Sequence, residues 1–163
     1  MSYFVCRRRY YRIAVASARD KANKAIPAVR NFTLHPADRG KLSVDCECFT
    51  TPEESIARFG ATYKTDRTFK GYSDREIYAI EAAFIEESKL IHGVIFNPTI
   101  VDPPQIGQPQ NFSHSLLDLA LDQPDELEPE ICLKLREHAK ERRVIHNIQK
   151  TDKLVVQYRA QWG

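Results

Sequence analysis

Glycine and recognisable catalytic motifs are both scarce in this 163-residue chain. Only six glycines are present, and neither G-x-G-x-x-G nor G-x-x-x-x-G-K-[ST] occurs, which argues against a loop that cradles phosphates. The H-E-x-x-H and G-x-S-x-G signatures are missing. Signatures of helix-turn-helix, zinc-finger and ribonucleoprotein-type domains are missing as well. The sequence therefore contains no motif that assigns an enzyme class or a known nucleic-acid-binding module.

Long apolar runs are also lacking. No run approaches the ~18 residues that a membrane span requires, and residues 1–12 lack the apolar core of a secretory signal. Cys46 and Cys48 flank a single residue, but no second ligand pair with zinc-site spacing accompanies them. We therefore expect reduced cysteines, no metal, no cofactor, no membrane contact and a cytoplasmic location.

The apolar content is sufficient for a globular core. Ile, Leu, Val and Phe make up 41 of the 163 residues, above the roughly 20% under which chains tend to stay disordered. No repeat, low-complexity tract or linker divides the chain. We predict one α+β domain over residues 1–163. It should contain a mixed or antiparallel sheet of about four to five strands with three to four helices.

Several elements follow from local pattern. Residues 10–16, 42–49 and 92–100 are rich in β-branched and aromatic residues, which predicts strands. Thr51 followed by Pro52 and by a glutamate three residues on predicts a capped helix that ends near Gly60. Residues 101–112 contain three prolines and no periodicity, which predicts a long loop.

Other segments are ambiguous or depend on one signal. A short helix is predicted within residues 17–31, ending near Ile26. Residues 73–88 fit either a capped helix or an alternating strand, and we favour the helix. Ser113 is predicted to cap a helix, and Pro129 to open a longer one. Residues 154–162 alternate cleanly between apolar and polar side chains, which predicts a C-terminal strand.

Charge is segregated along the chain, although the formal net charge is only +2. Residues 1–30 carry a net charge of +7 and residues 132–163 carry +5. Residues 31–100 carry −3, and residues 101–131 carry −7 with no lysine or arginine. Either the acidic and basic blocks neutralise each other in the fold, or the basic ends form a positive face for a partner.

Two basic segments are candidates for binding a macromolecule. The first interleaves arginine with tyrosine, a combination that suits phosphates and unpaired bases, whereas its alternative role is a charged edge strand. The second lies on the helix that Pro129 opens. The candidate residues are Arg7, Arg8, Arg9, Tyr10, Tyr11, Arg12, Lys134, Lys140, Arg142 and Arg143.

The candidate catalytic residue is His114, which lies between Ser113 and Ser115 after the proline-rich loop. A histidine beside two hydroxyls could act as a general base with either serine as nucleophile. The alternative is that Ser113 only caps a helix and that the tripeptide has no chemical role.

Three hypotheses follow. The leading one is a small non-catalytic binding protein that engages an acidic protein surface, RNA or DNA through its basic faces, in a bacterial regulatory or conflict system. The second is a metal-independent hydrolase or transferase that uses His114. The third is a subunit of a homo-oligomer that pairs through the C-terminal strand.

Overall fold

The computed structural model describes residues 8–34, 38–119 and 130–161. The strands are β1 (Arg9–Val15), β2 (Lys41–Cys46), β3 (Arg75–Glu81), β4 (Ile91–Phe96), β5 (His114–Leu119) and β6 (Arg143–Val144). The helices are α1 (Pro52–Gly60), α2 (Ala82–Glu87), α3 (Glu130–Ala139) and α4 (Ile148–Gln161). Within the described ranges, these strands form one antiparallel sheet in the order β4-β5-β2-β1-β3-β6. The α+β class is confirmed, with six strands where about four to five were predicted.

The sheet has apolar residues on both faces. The larger core includes Tyr10, Tyr78 and Leu117 from the strands and Leu135 from α3, all fully or almost fully buried. A smaller cluster lies on the other face, where Ile56 of α1 packs against the strands. Because successive strand side chains point to opposite faces, β1 and β3 contribute to both clusters. The helix α4 packs against α1.

The helix predicted from the Thr51 cap to near Gly60 is confirmed as α1. Thr51 is the N-cap of α1: its hydroxyl accepts a hydrogen bond from the Glu54 amide, and the Glu54 carboxylate accepts from the Thr51 amide. Pro52 occupies the first turn, and Gly60 is the last helical residue. The cap, the proline and the terminal glycine agree with one another, so local sequence is sufficient to define this helix.

Two segments predicted as helices contain strands: residues 73–88 form a strand followed by the short helix α2, so that prediction is confirmed only for residues 82–87, and the segment after Ser113 is a strand. Residues 75–81 form β3, which lies between β1 and β6, and buried residues on both of its faces obscure the alternation. Residues 114–119 form β5, where Ser115, Leu117 and Leu119 alternate on the buried face. Ser113 does not cap a helix because the chain continues into this strand.

The helix predicted within residues 17–31 is wrong, and the helix predicted to open at Pro129 is shorter than predicted. Residues 17–28 form turns and bridges, and Asp20 accepts hydrogen bonds there from the Ala22 and Asn23 amides, each of which stabilises a turn. The second helix, α3, begins at Glu130 within the described residues and ends at Ala139, whereas the apolar spacing of the sequence predicts a helix that reaches Ile145.

The predicted C-terminal strand is wrong because residues 154–161 belong to α4. Asn147 precedes this helix, and its side-chain oxygen accepts a hydrogen bond from the Lys150 amide. Thr151 and Val155 are the buried residues of α4, one turn apart on the side of the helix that packs inward. The oligomer hypothesis loses its basis, since it required a strand at this position.

Cys48 differs from the two other cysteines that the structure describes. Cys46 and Cys132 are buried free thiols, whereas Cys48 forms a disulfide bond, so the expectation of reduced cysteines is wrong for Cys48.

No helix in the described parts of the chain is long and apolar enough to cross a membrane.

Candidate functional site: a cationic cleft

A cleft opens where β1 and β2 separate. The register of these strands covers two residue pairs, after which β1 continues along β3 and β2 continues along β5. Arg12 follows the second pair and donates from Nη1 to the Ser43 carbonyl and from Nε to the Asn31 carbonyl, each at 2.9 Å. Its guanidinium therefore bridges the strands where their ladder stops. A cleft of about 990 Å³ lies at this opening.

Cations dominate the lining of the cleft. Among the residues that the structure describes, the lining contains seven lysines and arginines and one carboxylate, that of Asp45. The seven cations are Arg12, Arg30, Arg58, Lys64, Arg67, Lys70 and Arg75. A concave surface lined by one sign of charge raises the local concentration of oppositely charged ligands. The cleft is therefore suited to an anion.

The carboxylate of Asp45 lies in a buried hydrogen-bond network. Asp45 accepts from the Ser55 hydroxyl at 2.7 Å and from Asn111 Nδ2 at 2.8 Å. Arg58 Nη2 is 3.5 Å from the same carboxylate and donates to Ser113 Oγ at 3.0 Å. These bonds join β2, α1 and the start of β5. Asp45 is thus a structural carboxylate that offers little repulsion to an anionic ligand.

Residues 97–113 form one wall of the cleft, and Gly107 fixes its position. The Tyr63 amide donates to the Gly107 carbonyl at 2.9 Å. Gly107 has a φ of +79°, and a Cβ at this position would lie 2.0 Å from the Tyr63 ring. Because both the backbone conformation and the close approach exclude a side chain, only glycine fits here. Thr99 and Asn111 then close the wall with two backbone hydrogen bonds.

Aromatic rings lie among the cations. The charged groups of Lys70 and Arg75 are each 5.0 Å from the centre of the Phe59 ring. Tyr63 packs against Phe69 with 4.8 Å between ring centres. Cation–π contacts of this kind hold long basic side chains in place at the surface.

Three of the cleft cations are exposed, namely Arg30, Lys64 and Arg67. None of the ion pairs among the described residues involves them or Arg12. Burial lowers the pKa of Arg12, and the charge of Asp38 opposes that shift. A ligand phosphate or carboxylate would supply a negative partner for these groups.

Ser113 and Ser115, the predicted nucleophiles, do not line the cleft, whereas His114 does. Ser113 is buried, donates to Asn111 Oδ1 at 2.6 Å and accepts from Arg58. Ser115 is fully buried and donates to the Ser113 carbonyl at 3.2 Å. The His114 ring instead contacts Ser43, which is on the neighbouring strand β2.

The predicted N-terminal basic face is divided by the fold. Arg7 lies outside the described residues, and Arg8 is exposed at the start of β1. Arg9 pairs with Glu47 at 2.7 Å. Arg12 alone of these cations lines the cleft. Among the described residues, Arg8, Arg9 and Arg12 therefore do not form one continuous patch.

The tyrosines of that segment contribute mainly to the interior. Tyr10 is 1% exposed and belongs to the larger core, while Tyr11 is 4% exposed and belongs to the smaller cluster. Tyr11 also lines the cleft. Neither ring is exposed enough to stack on a base without movement of its neighbours.

The predicted C-terminal basic face is largely paired. Each of its four cations has a carboxylate nearby: Lys134 with Glu130 (2.9 Å), Lys140 with Glu137 (2.7 Å), Arg142 with Glu81 (3.9 Å) and Arg143 with Glu76 (3.3 Å). Local carboxylates thus offset these charges, and none of the four lines the cleft.

Most cations of the cleft were not predicted from the sequence. Five of them lie between residues 58 and 75, within the segment 31–100 whose net charge is −3. Among the acids of that segment that the structure describes, Asp45 alone lines the cleft, so the net charge conceals the positive surface. Only the alternation of Lys64, Arg67, Lys70 and aromatic residues could have indicated it.

Within the described ranges, no group of three or more His, Cys, Asp or Glu side chains is placed to hold a metal ion. Comparison of the chain with family models, with curated proteins and with solved structures gives no match. The function must therefore be inferred from the cleft itself.

Proposed function

We propose that this protein binds single-stranded nucleic acid in the cationic cleft. The observation that carries the proposal is the lining: within the described ranges, seven lysines and arginines accompany one carboxylate, and that carboxylate is already engaged by Ser55 and Asn111. Proteins that bind single strands combine a positive groove with aromatic side chains. The cleft has both features.

The shape of the cleft favours a single strand over the other partners considered. A volume of about 990 Å³ is near the upper end of the range for small-molecule sites, which suits a short stretch of extended chain. A duplex or an acidic protein surface would bind mainly outside the cleft. The C-terminal cations outside the cleft are already paired with carboxylates.

The exposed cations Arg30, Lys64 and Arg67 provide the test. We expect their triple substitution by alanine to weaken binding of a fluorescent oligonucleotide on the order of 10-fold or more, since each would neutralise a phosphate. Fluorescence anisotropy over a salt series measures this. The slope of log affinity against log salt should become shallower by about 0.7 for each phosphate that is no longer neutralised.

A matched control removes the same charge elsewhere. The triple substitution of Lys134, Lys140 and Arg143 by alanine also removes three positive charges from a chain of net charge +2. We expect this variant to bind nearly as well as the native protein. Equal weakening in both variants would mean that only overall charge matters, and absence of binding by the native protein at low salt would reject the proposal.

A further inference from the structure

Ser43 and His114 lie side by side at the cleft. In the register of β2 and β5, Asp45 is opposite His114 and Ser43 is opposite Leu116, so Ser43 and His114 are diagonal neighbours on one face. His114 Nε2 is 3.3 Å from Ser43 Oγ. Both residues line the cleft, and Ser43 is exposed. A hydroxyl nucleophile and a base are therefore within reach of a bound ligand.

A backbone carbonyl sets the tautomer of the histidine. His114 Nδ1 is 2.7 Å from the Asn97 carbonyl oxygen. A carbonyl oxygen can only accept, so in the neutral ring the proton must be on Nδ1. Nε2 then carries the lone pair and accepts from the Ser43 hydroxyl. This is the arrangement of a nucleophile, a base and a group that positions the base.

We propose that Ser43 and His114 form a catalytic pair that hydrolyses phosphodiesters, with the Asn97 carbonyl as the positioning group. The choice of phosphodiester rests on the proposed function, because the cationic cleft selects an anionic chain. Arg12 donates to the Ser43 carbonyl at 2.9 Å, which places a guanidinium beside the nucleophile. Such a charge favours the transition state, in which negative charge on the phosphoryl oxygens increases.

The reaction balances without a co-reactant other than water. Ser43 Oγ forms a bond to phosphorus, the bond from phosphorus to the leaving oxygen breaks, and the hydroxyl proton moves through His114 Nε2 to the leaving oxygen. Water then attacks phosphorus and releases Ser43 Oγ. His114 takes the proton of the water and returns it to Oγ. The products are an alcohol and a phosphate monoester.

The first experiment uses a fluorophosphonate probe. Attack by Ser43 Oγ forms the O–P bond and releases fluoride, while His114 takes the proton. We expect the native protein to be labelled at Ser43, Ser43→Ala to lose that label, and His114→Gln to react on the order of 100-fold more slowly. Ser88→Ala is the control, since Ser88 does not line the cleft and its hydroxyl accepts from the Leu90 amide.

Labelling of native protein no faster than that of Ser43→Ala would overturn the pair. The melting temperature of His114→Gln is measured alongside, and an unfolded variant is replaced by His114→Asn. The second experiment measures nitrophenolate release from bis(p-nitrophenyl) phosphate and cleavage of the oligonucleotide. Both activities should be lost in Ser43→Ala while anisotropy still reports binding.

The two proposals fail in different ways. The fluorophosphonate is uncharged, so its reaction does not depend on the cations. Oligonucleotide binding without labelling would reject the Ser43–His114 pair and leave the proposed function in place. Labelling without oligonucleotide binding would support the pair as a nucleophile and base, but it would reject both nucleic acid as the ligand and the phosphodiester substrate.

Discussion

Acid should weaken the fold through one histidine, His138 of α3. Its Nε2 accepts a hydrogen bond from the Glu81 amide at 2.9 Å, and its ring stacks on Phe84 with 4.2 Å between ring centres. Burial lowers the pKa of His138 from 6.5 to about 4, and the charge of Arg142 adds to the effect. The folded protein therefore holds this ring neutral, as the hydrogen bond requires.

The direction of the pH effect follows from proton binding. Between the folded pKa of about 4 and the ordinary value of 6.5, the unfolded chain binds more protons at His138 than the folded chain does. The free energy of unfolding therefore falls as the pH decreases through this interval. At about pH 5 the full shift would cost about 2 kcal/mol. Because the ring is only half-buried, water screens part of this electrostatic effect. We therefore expect the free energy of unfolding to decrease by about 1 kcal/mol through His138.

The substitution His138→Gln isolates this contribution. A glutamine carbonyl can still accept from the Glu81 amide, but it does not titrate. Urea unfolding at about pH 7.5 and about pH 5 gives the decrease in stability for each protein. We expect the native protein to lose about 1 kcal/mol more than the variant does. Equal decreases would show that His138 does not couple protonation to folding and would refute the reasoning.

Three other substitutions test the cap, the cleft wall and the buried network. Thr51→Ala removes the capping box of α1 and should cost about 1 kcal/mol in thermal unfolding, whereas an unchanged melting temperature would show that the cap is dispensable. Gly107→Ala should displace Tyr63 and weaken oligonucleotide binding several-fold; native affinity in this variant would mean that the wall does not shape the site. Asp45→Ala leaves the guanidinium of Arg58 without its carboxylate and should cost about 3 kcal/mol in urea unfolding, and a decrease under about 1 kcal/mol would contradict the network.

Local signals predicted the elements in which they agree with one another. In α1, the Thr51 cap, Pro52 and Gly60 all indicate the same helix, and β1 and β4 are rich in β-branched and aromatic residues. Such agreement needs no tertiary information. The class of the fold was predictable for the same reason.

Tertiary contacts decided the segments in which local signals conflict. In β3, residues 77–80 are buried on both faces because helices cover the sheet on each side, so alternation disappears. In α4, every second residue from Leu154 onward is apolar, but burial follows the helical spacing of Thr151 and Val155. The Asn147 cap was the one local signal for that helix.

The candidate site was only partly predictable. His114 and Arg12 were identified from the sequence, and both line the cleft. Ser43 could not be identified from the sequence, because its contact with His114 spans 71 positions and depends on the pairing of β2 with β5. The cations Lys64 and Arg67 share this difficulty, since their segment carries more acids than bases.

The short register between β1 and β2 has a mechanical consequence. The sheet consists of two three-stranded halves, β4-β5-β2 and β1-β3-β6, and the ladder between them covers the pairs Tyr10–Cys46 and Tyr11–Asp45. Apart from the two pairs that join β6 to β3, the ladders within each half cover five to seven residue pairs, whereas the seam covers two. Away from the edge strand β6, the amide hydrogens of the sheet should therefore exchange with solvent first at the seam. A ligand that spans both halves would stiffen the molecule along this line and slow that exchange.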